Sequence, residues 1–165
     1  MQKVKAVRLV ILLLALGLAV WPSRCEGIDI AVSGTWTLTS GPSDLAAGAG
    51  SDLPPSSESS VDQAAITISN TAGDADNWRV DARRSDTTWN GNLVLWVKRT
   101  ADGVGGGSIT GGTAYQEVST TDASFFSGSG DRNGITLQLK LSGVSIQVPP
   151  NTYSTSVVYT VVDTA

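Results

Sequence analysis

Chemistry in this chain has to come from carboxylates, aromatic rings and hydroxyls. Its 165 residues contain no histidine and a single cysteine, Cys25. A Ser-His-Asp or Cys-His nucleophile therefore cannot be assembled. Structural zinc and blue-copper sites draw on the same two side chains and are excluded with them. A glycosidase would need two carboxylates flanking one bond in a cleft. The acids sit mostly in turn-rich stretches: Asp44, Asp52, Asp74, Asp76, Asp102, Asp122 and Asp131. Aspartate in such places serves the backbone of tight turns. The expectation is a protein that is not an enzyme and carries no cofactor.

Two acidic loops have oxygen ligands at alternating positions, as calcium prefers: "GDADN" from Gly73 to Asn77 and "GSGDRNG" from Gly128 to Gly134. Neither completes the D-x-[DN]-x-[DN]-G-x5-E calcium loop, so both read as turns and no metal is expected. The stretch "GVGGGSITGG" has the glycines of a phosphate loop but no Lys-Ser/Thr after them, and reads as a hairpin loop. Tryptophan offers a broad apolar face that can stack on a sugar ring. Trp78 and Trp96 fall in apolar periodicity and read as core. Trp89, in the polar turn "TTWNGN", is the best candidate for a ligand contact, with Trp36 and Tyr115 behind it.

The elements that hold these residues begin after an export signal. Lys3, Lys5 and Arg8 precede the apolar run "LVILLLALGLAV" (Leu9 to Val20), and Trp21, Pro22 and Ser23 break it. Twelve apolar residues are too few to span a bilayer as a helix, and the layout is that of a secretory signal peptide over 1–27. Ser23 and Cys25, or Cys25 and Gly27, supply the small residues of a cleavage site. Residues 28–165 then form one domain with seven basic and fourteen acidic side chains, a net charge of −7. An acidic surface repels nucleic acid and anionic lipid, and no membrane span remains after the signal is removed. Without Cys25 the domain has no disulfide, although the exported compartment permits one.

The mature stretch is rich in Ser, Thr, Val and Gly and shows period-two alternation. Strands are expected at 28–39 with a bend at Ser33-Gly34, then at 64–70, 77–84, 92–99, 114–118, 123–127, 135–141, 144–148 and 152–162. A long Gly/Pro/Ser-rich loop separates the first two, at 40–63. Trp78, Val80 and Ala82 should face the core, with Arg79, Asp81 and Arg83 opposite them. Roughly eight short strands between Gly, Pro, Asn and Asp turns predict an all-β, immunoglobulin-like antiparallel β-sandwich, with a jelly roll as the alternative.

The last predicted strand has a more specific pattern. Tyr153, Val157, Tyr159 and Val161 are spaced as in the Y-x3-L-T-W-x-L ending of WxL-domain proteins, which this stretch resembles. Those are secreted, β-rich proteins of Gram-positive surfaces that associate non-covalently with peptidoglycan. "W78-R-V80" stands where that family has its first W-x-L. Here Tyr159 replaces the Trp, and Val80 and Val161 replace Leu. The same ending, Pro-x-x-Tyr followed by alternating Val and Thr, is similar to the final strand of fimbrial and spore-coat-U-type subunits. Those immunoglobulin-like sandwiches polymerise by lending an N-terminal strand to a neighbour.

This resemblance implies strand pairing through Ile28, Ile30 and Val32 at one end and Val157, Tyr159 and Val161 at the other. The local alternative is that 28–39 pairs within its own domain. The expected protein is a secreted or cell-surface structural subunit whose partner is a second copy of itself. A module that binds cell-wall glycan is the other reading.

Overall fold

A computed structural model of the protein describes residues 27–164. The expected signal peptide lies outside the described residues apart from Gly27. The strands are β1 (Asp29–Ser33), β2 (Ser56–Glu58), β3 (Ala64–Ser69), β4 (Asn77–Thr88), β5 (Val94–Arg99), β6 (Val104–Gly105), β7 (Ile109–Gly111), β8 (Gln116–Glu117), β9 (Ala123–Ser129), β10 (Arg132–Ser142) and β11 (Ser154–Asp163). One sheet runs β1-β3-β10-β5-β8, with β2 and β6 also paired to β10; the other runs β11-β4-β9-β7. Every ladder is antiparallel. The two sheets close on one core, so the protein is an all-β antiparallel sandwich, an architecture compatible with either an immunoglobulin-like or a jelly-roll arrangement.

Period-two side-chain alternation builds that core. Trp78, Val80 and Ala82 of β4 point inward and meet Ile66 and Ile68 of β3, Leu95 and Val97 of β5, and Ile135 and Leu137 of β10. Arg79 and Asp81, two apart on the outer face, form a bidentate pair at 2.6 and 2.9 Å. Trp78 is fully buried, and its indole Nε1 donates to the Gly130 carbonyl at 2.8 Å. A Cβ on Gly128 would lie 2.6 Å from the Trp78 ring, so glycine opposite the indole is what lets β9 close over it.

Phe125 and Phe126 are adjacent in sequence yet both buried, which a regular strand forbids. The β4–β9 register slips between Val80 and Asp81, and this bulge turns both rings inward. They pack edge to face at 5.1 Å, and Phe126 meets Trp78 the same way at 6.0 Å.

Several expected strands differ in the structure. Only Asp29–Ser33 of 28–39 is strand; at Gly34 a Cβ would run into the backbone of Gln63 and Ala64, and the chain leaves the sheet there. The 40–63 loop contains a 3-10 turn at Pro42–Asp44 and the short strand β2. Residues 144–148 form a turn, not a strand: the Ser145 hydroxyl and the Ile146 N–H both donate to Asp52. The glycine-rich stretch carries β6 and β7. Strand β4 continues to Thr88, because Ser85, Asp86 and Thr88 pair with the start of β11.

Candidate functional site

Strand β11 is the outermost strand of its sheet. Its inner side pairs with β4 along ten residues, from Ser154 opposite Thr88 to Asp163 opposite Trp78. Among the described residues no strand pairs with its other side. Val157, Tyr159 and Val161 pack against the core, as alternation from a buried odd-numbered face requires. Tyr159 lies 6.4 Å from Phe125, and burial pushes its phenol ionisation upward. Val158, Thr160 and Val162 occupy the opposite face, Thr160 exposed. The strand contains no lysine and no proline, and its one charged residue, Asp163, is the last.

Strand β1 is the outermost strand of the other sheet and lies on the same side of the sandwich. It comes within 8 Å of β11 by Cα positions but forms no ladder with it. Asp29 to Ser33 pair with Ser69 to Ala65 of β3 in the same molecule. Ile28 and Ile30 pack on the core, whereas Val32 is 47% exposed. Of the residues expected to pair strands, Val157, Tyr159 and Val161 therefore lie on a strand with one open side. Ile28, Ile30 and Val32 belong to a segment already held by β3.

The aromatic candidates do not converge. Trp36 lies on the irregular segment after β1 and packs on the core. Trp89 is half-buried in the turn after β4; its Nε1 donates to the Leu93 carbonyl at 3.0 Å, and the Arg84 guanidinium sits 4.9 Å above its ring. Tyr115, just before β8, lies over the outer face of the larger sheet. The ammonium groups of Lys98 and Lys140 stand 4.4 and 4.2 Å from its ring centre. Its hydroxyl is buried and has no partner in hydrogen-bonding geometry. Burial, followed by the nearby Glu58 carboxylate, pushes this phenol up to about 12.

Trp96 corrects the core reading made from periodicity. It faces outward between β10 and β8, with Lys140 at 4.9 Å over its ring and its Nε1 on the Ser142 hydroxyl. Sequence reasoning also missed Arg99. Its side chain is 4% exposed, pairs with Asp102 and donates through Nε to the Gly111 carbonyl at 3.0 Å, tying β5 of one sheet to β7 of the other. Its position two residues beyond Val97 on the inward face was the available signal.

The acidic loops use their carboxylates on the backbone. Asp76 accepts from the Ala72 N–H, and Asp131 accepts from the Thr71 N–H and hydroxyl. Those bonds hold the Asp131 carboxyl below its ordinary range. Among the described residues no three His, Cys, Asp or Glu side chains gather as a metal site, and no helix is long and apolar enough to cross a membrane. Comparison with known proteins returns no match: no family model, no curated protein and no solved structure is similar to this chain.

Proposed function

We propose that the chain is a secreted, non-catalytic surface or extracellular structural subunit that self-assembles by β-strand pairing along β11. The observation that carries this reading is the open side of β11: ten residues, β-branched and aromatic at its centre, with its only charge at one end. Such an edge presents a row of unpaired backbone groups, and proteins that stay monomeric blunt edges with lysine, proline, bulges or very short strands. The single irregularity in β11 lies at its first step, between Ser154 and Thr155. Added strands gain affinity from backbone hydrogen bonds, with alternate side chains setting the register. The glycan reading has weaker support, because cationic side chains already lie over the rings of Trp89 and Tyr115.

The test is the oligomeric state of the purified chain by size-exclusion chromatography with light scattering, and its appearance in electron microscopy. The wild-type chain should show a mass above the monomer that falls on dilution. Thr160→Lys places a guard charge on the exposed face of β11 and should give a monomer, with stability changed by less than about 0.5 kcal/mol as for ordinary surface substitutions. A wild-type chain that is monomeric at every concentration would refute the reading.

A further inference from the structure

The self-assembly reading leaves open which strand meets β11, and the structure narrows that choice. A donor strand taken from 28–39 would first have to leave β3, breaking a five-pair ladder and pulling Ile28 and Ile30 off the core. The open side of β11 needs no such rearrangement. An identical β11 from a second copy is available in the same state.

We infer that two copies pair through β11 itself, antiparallel, with Tyr159 of one opposite Tyr159 of the other. Three features of the strand select this arrangement. First, directly opposed residues in an antiparallel pair project from the same face of a sheet. Core-facing residues must therefore oppose core-facing ones if the two β11–β4 sheets are to join into one, and only registers that keep odd opposite odd satisfy this. Second, the regular part of β11 begins after the register shift at Ser154/Thr155 and runs over 155–163, so its centre is Tyr159. Third, that register places Val157 opposite Val161 and Val158 opposite Thr160, the β-branched and aromatic cross-strand pairs that stabilise sheets. Asp163 falls opposite Thr155, and no two like charges face each other along the new ladder.

The contact is the same patch on both molecules, so it closes on a two-fold axis and yields a dimer, whereas pairing of β11 with a neighbour's β1 would be head-to-tail and could propagate. This inference rests on the self-assembly reading and specifies its geometry.

Directly opposed residues lie about 4.5–5.5 Å apart by Cα, within disulfide range, while residues two positions off do not. The experiment oxidises three variants of the full chain in a Cys25→Ser background: Val158→Cys/Thr160→Cys, Val158→Cys alone, and Ala31→Cys/Thr160→Cys. The first should form covalent dimers at least tenfold more readily than the other two, and the assembly should not grow beyond the dimer. Efficient self-crosslinking of Val158→Cys alone would mean a register shifted by one residue at the axis and would overturn the Tyr159-centred pairing. Crosslinking only in the Ala31/Thr160 variant would overturn the isologous dimer while leaving self-assembly intact. A monomeric, uncrosslinked chain throughout would refute both.

Discussion

On one side of the sandwich the outermost strands are β7 and β8, three and two residues long. On the other they are β11 and β1, ten and five residues long. The short side is wrapped in the glycine-rich stretch that carries β6 and β7, and Arg99 crosses it from one sheet to the other. Little backbone is left there for another molecule to pair with. The long side has charges only at its strand ends, Asp29 and Asp163, and nothing among the described residues pairs with its open backbone. A β-sandwich has to manage every edge its sheets leave open. This one blunts one pair of edges by geometry and leaves the other pair as strand. That asymmetry, more than any cluster of reactive groups, is what the assembly proposal rests on.

The two sides of the sandwich share one support. Strands β4 and β9 carry β11 on one flank and β7 on the other, and Trp78 is the side chain that locks them. Trp78→Ala removes a fully buried ring and leaves the Gly130 carbonyl without its indole donor. A loss of about 3–5 kcal/mol is expected for truncating such a residue, measured by urea denaturation, with both edges loosening together.

A smaller change acts on the short side alone. Gly107 has φ +71°, and a Cβ there would run into the Ser129 carbonyl and hydroxyl; Gly134 has φ +72° with open space around it. Gly134→Ala should cost about 1–2 kcal/mol, the ordinary penalty of a left-handed backbone. Gly107→Ala should cost more, since β9 has to move as well. Equal losses in the two variants would show that the short side is looser than its contacts suggest. Neither should change the oligomeric state.

The smallest effect is one of pH. Asp131, in the turn between β9 and β10, is held below its ordinary range by the Thr71 hydroxyl and then its N–H. A carboxylate with a depressed folded pKa contributes stability that is complete above its unfolded value near 3.8 and is lost as pH falls through the folded value. Acidification below about 3.8 should therefore speed hydrogen exchange at the Thr71 amide, after correction for intrinsic rates, and leave the centre of β11 unchanged. Asp131→Asn should remove most of that pH dependence. Loosening of both edges together in acid would erase the contrast between them.

Much of the fold was legible in the residues. Alternation predicted the inward face of β4, and the structure puts it there. Where sequence reasoning failed, a non-local contact had intervened. The strand expected at 144–148 became a turn because Asp52, far away in the chain, captures Ser145 and Ile146. Trp96 faces outward because Leu95 and Val97 take the face packed against the other sheet, and no local pattern distinguishes the two faces of a strand as apolar as "VLWVKR". The expected placement of Trp89 at a turn was correct as to chain position, but its partners Arg84 and Leu93 are set by how β4 and the turn meet.

The sequence alone determined that the chain would be built from antiparallel strands, which residues of β4 would face inward, and that histidine chemistry was impossible. These follow from covalent geometry and side-chain inventory, which each residue carries with it. Only the tertiary structure decided which strands are outermost, that β1 is held by β3, and that among the described residues β11 keeps one side open. Strand order depends on pairings between residues far apart in the chain. A β-strand has two equivalent backbone edges, and nothing in its own sequence says which of them will be left without a neighbour.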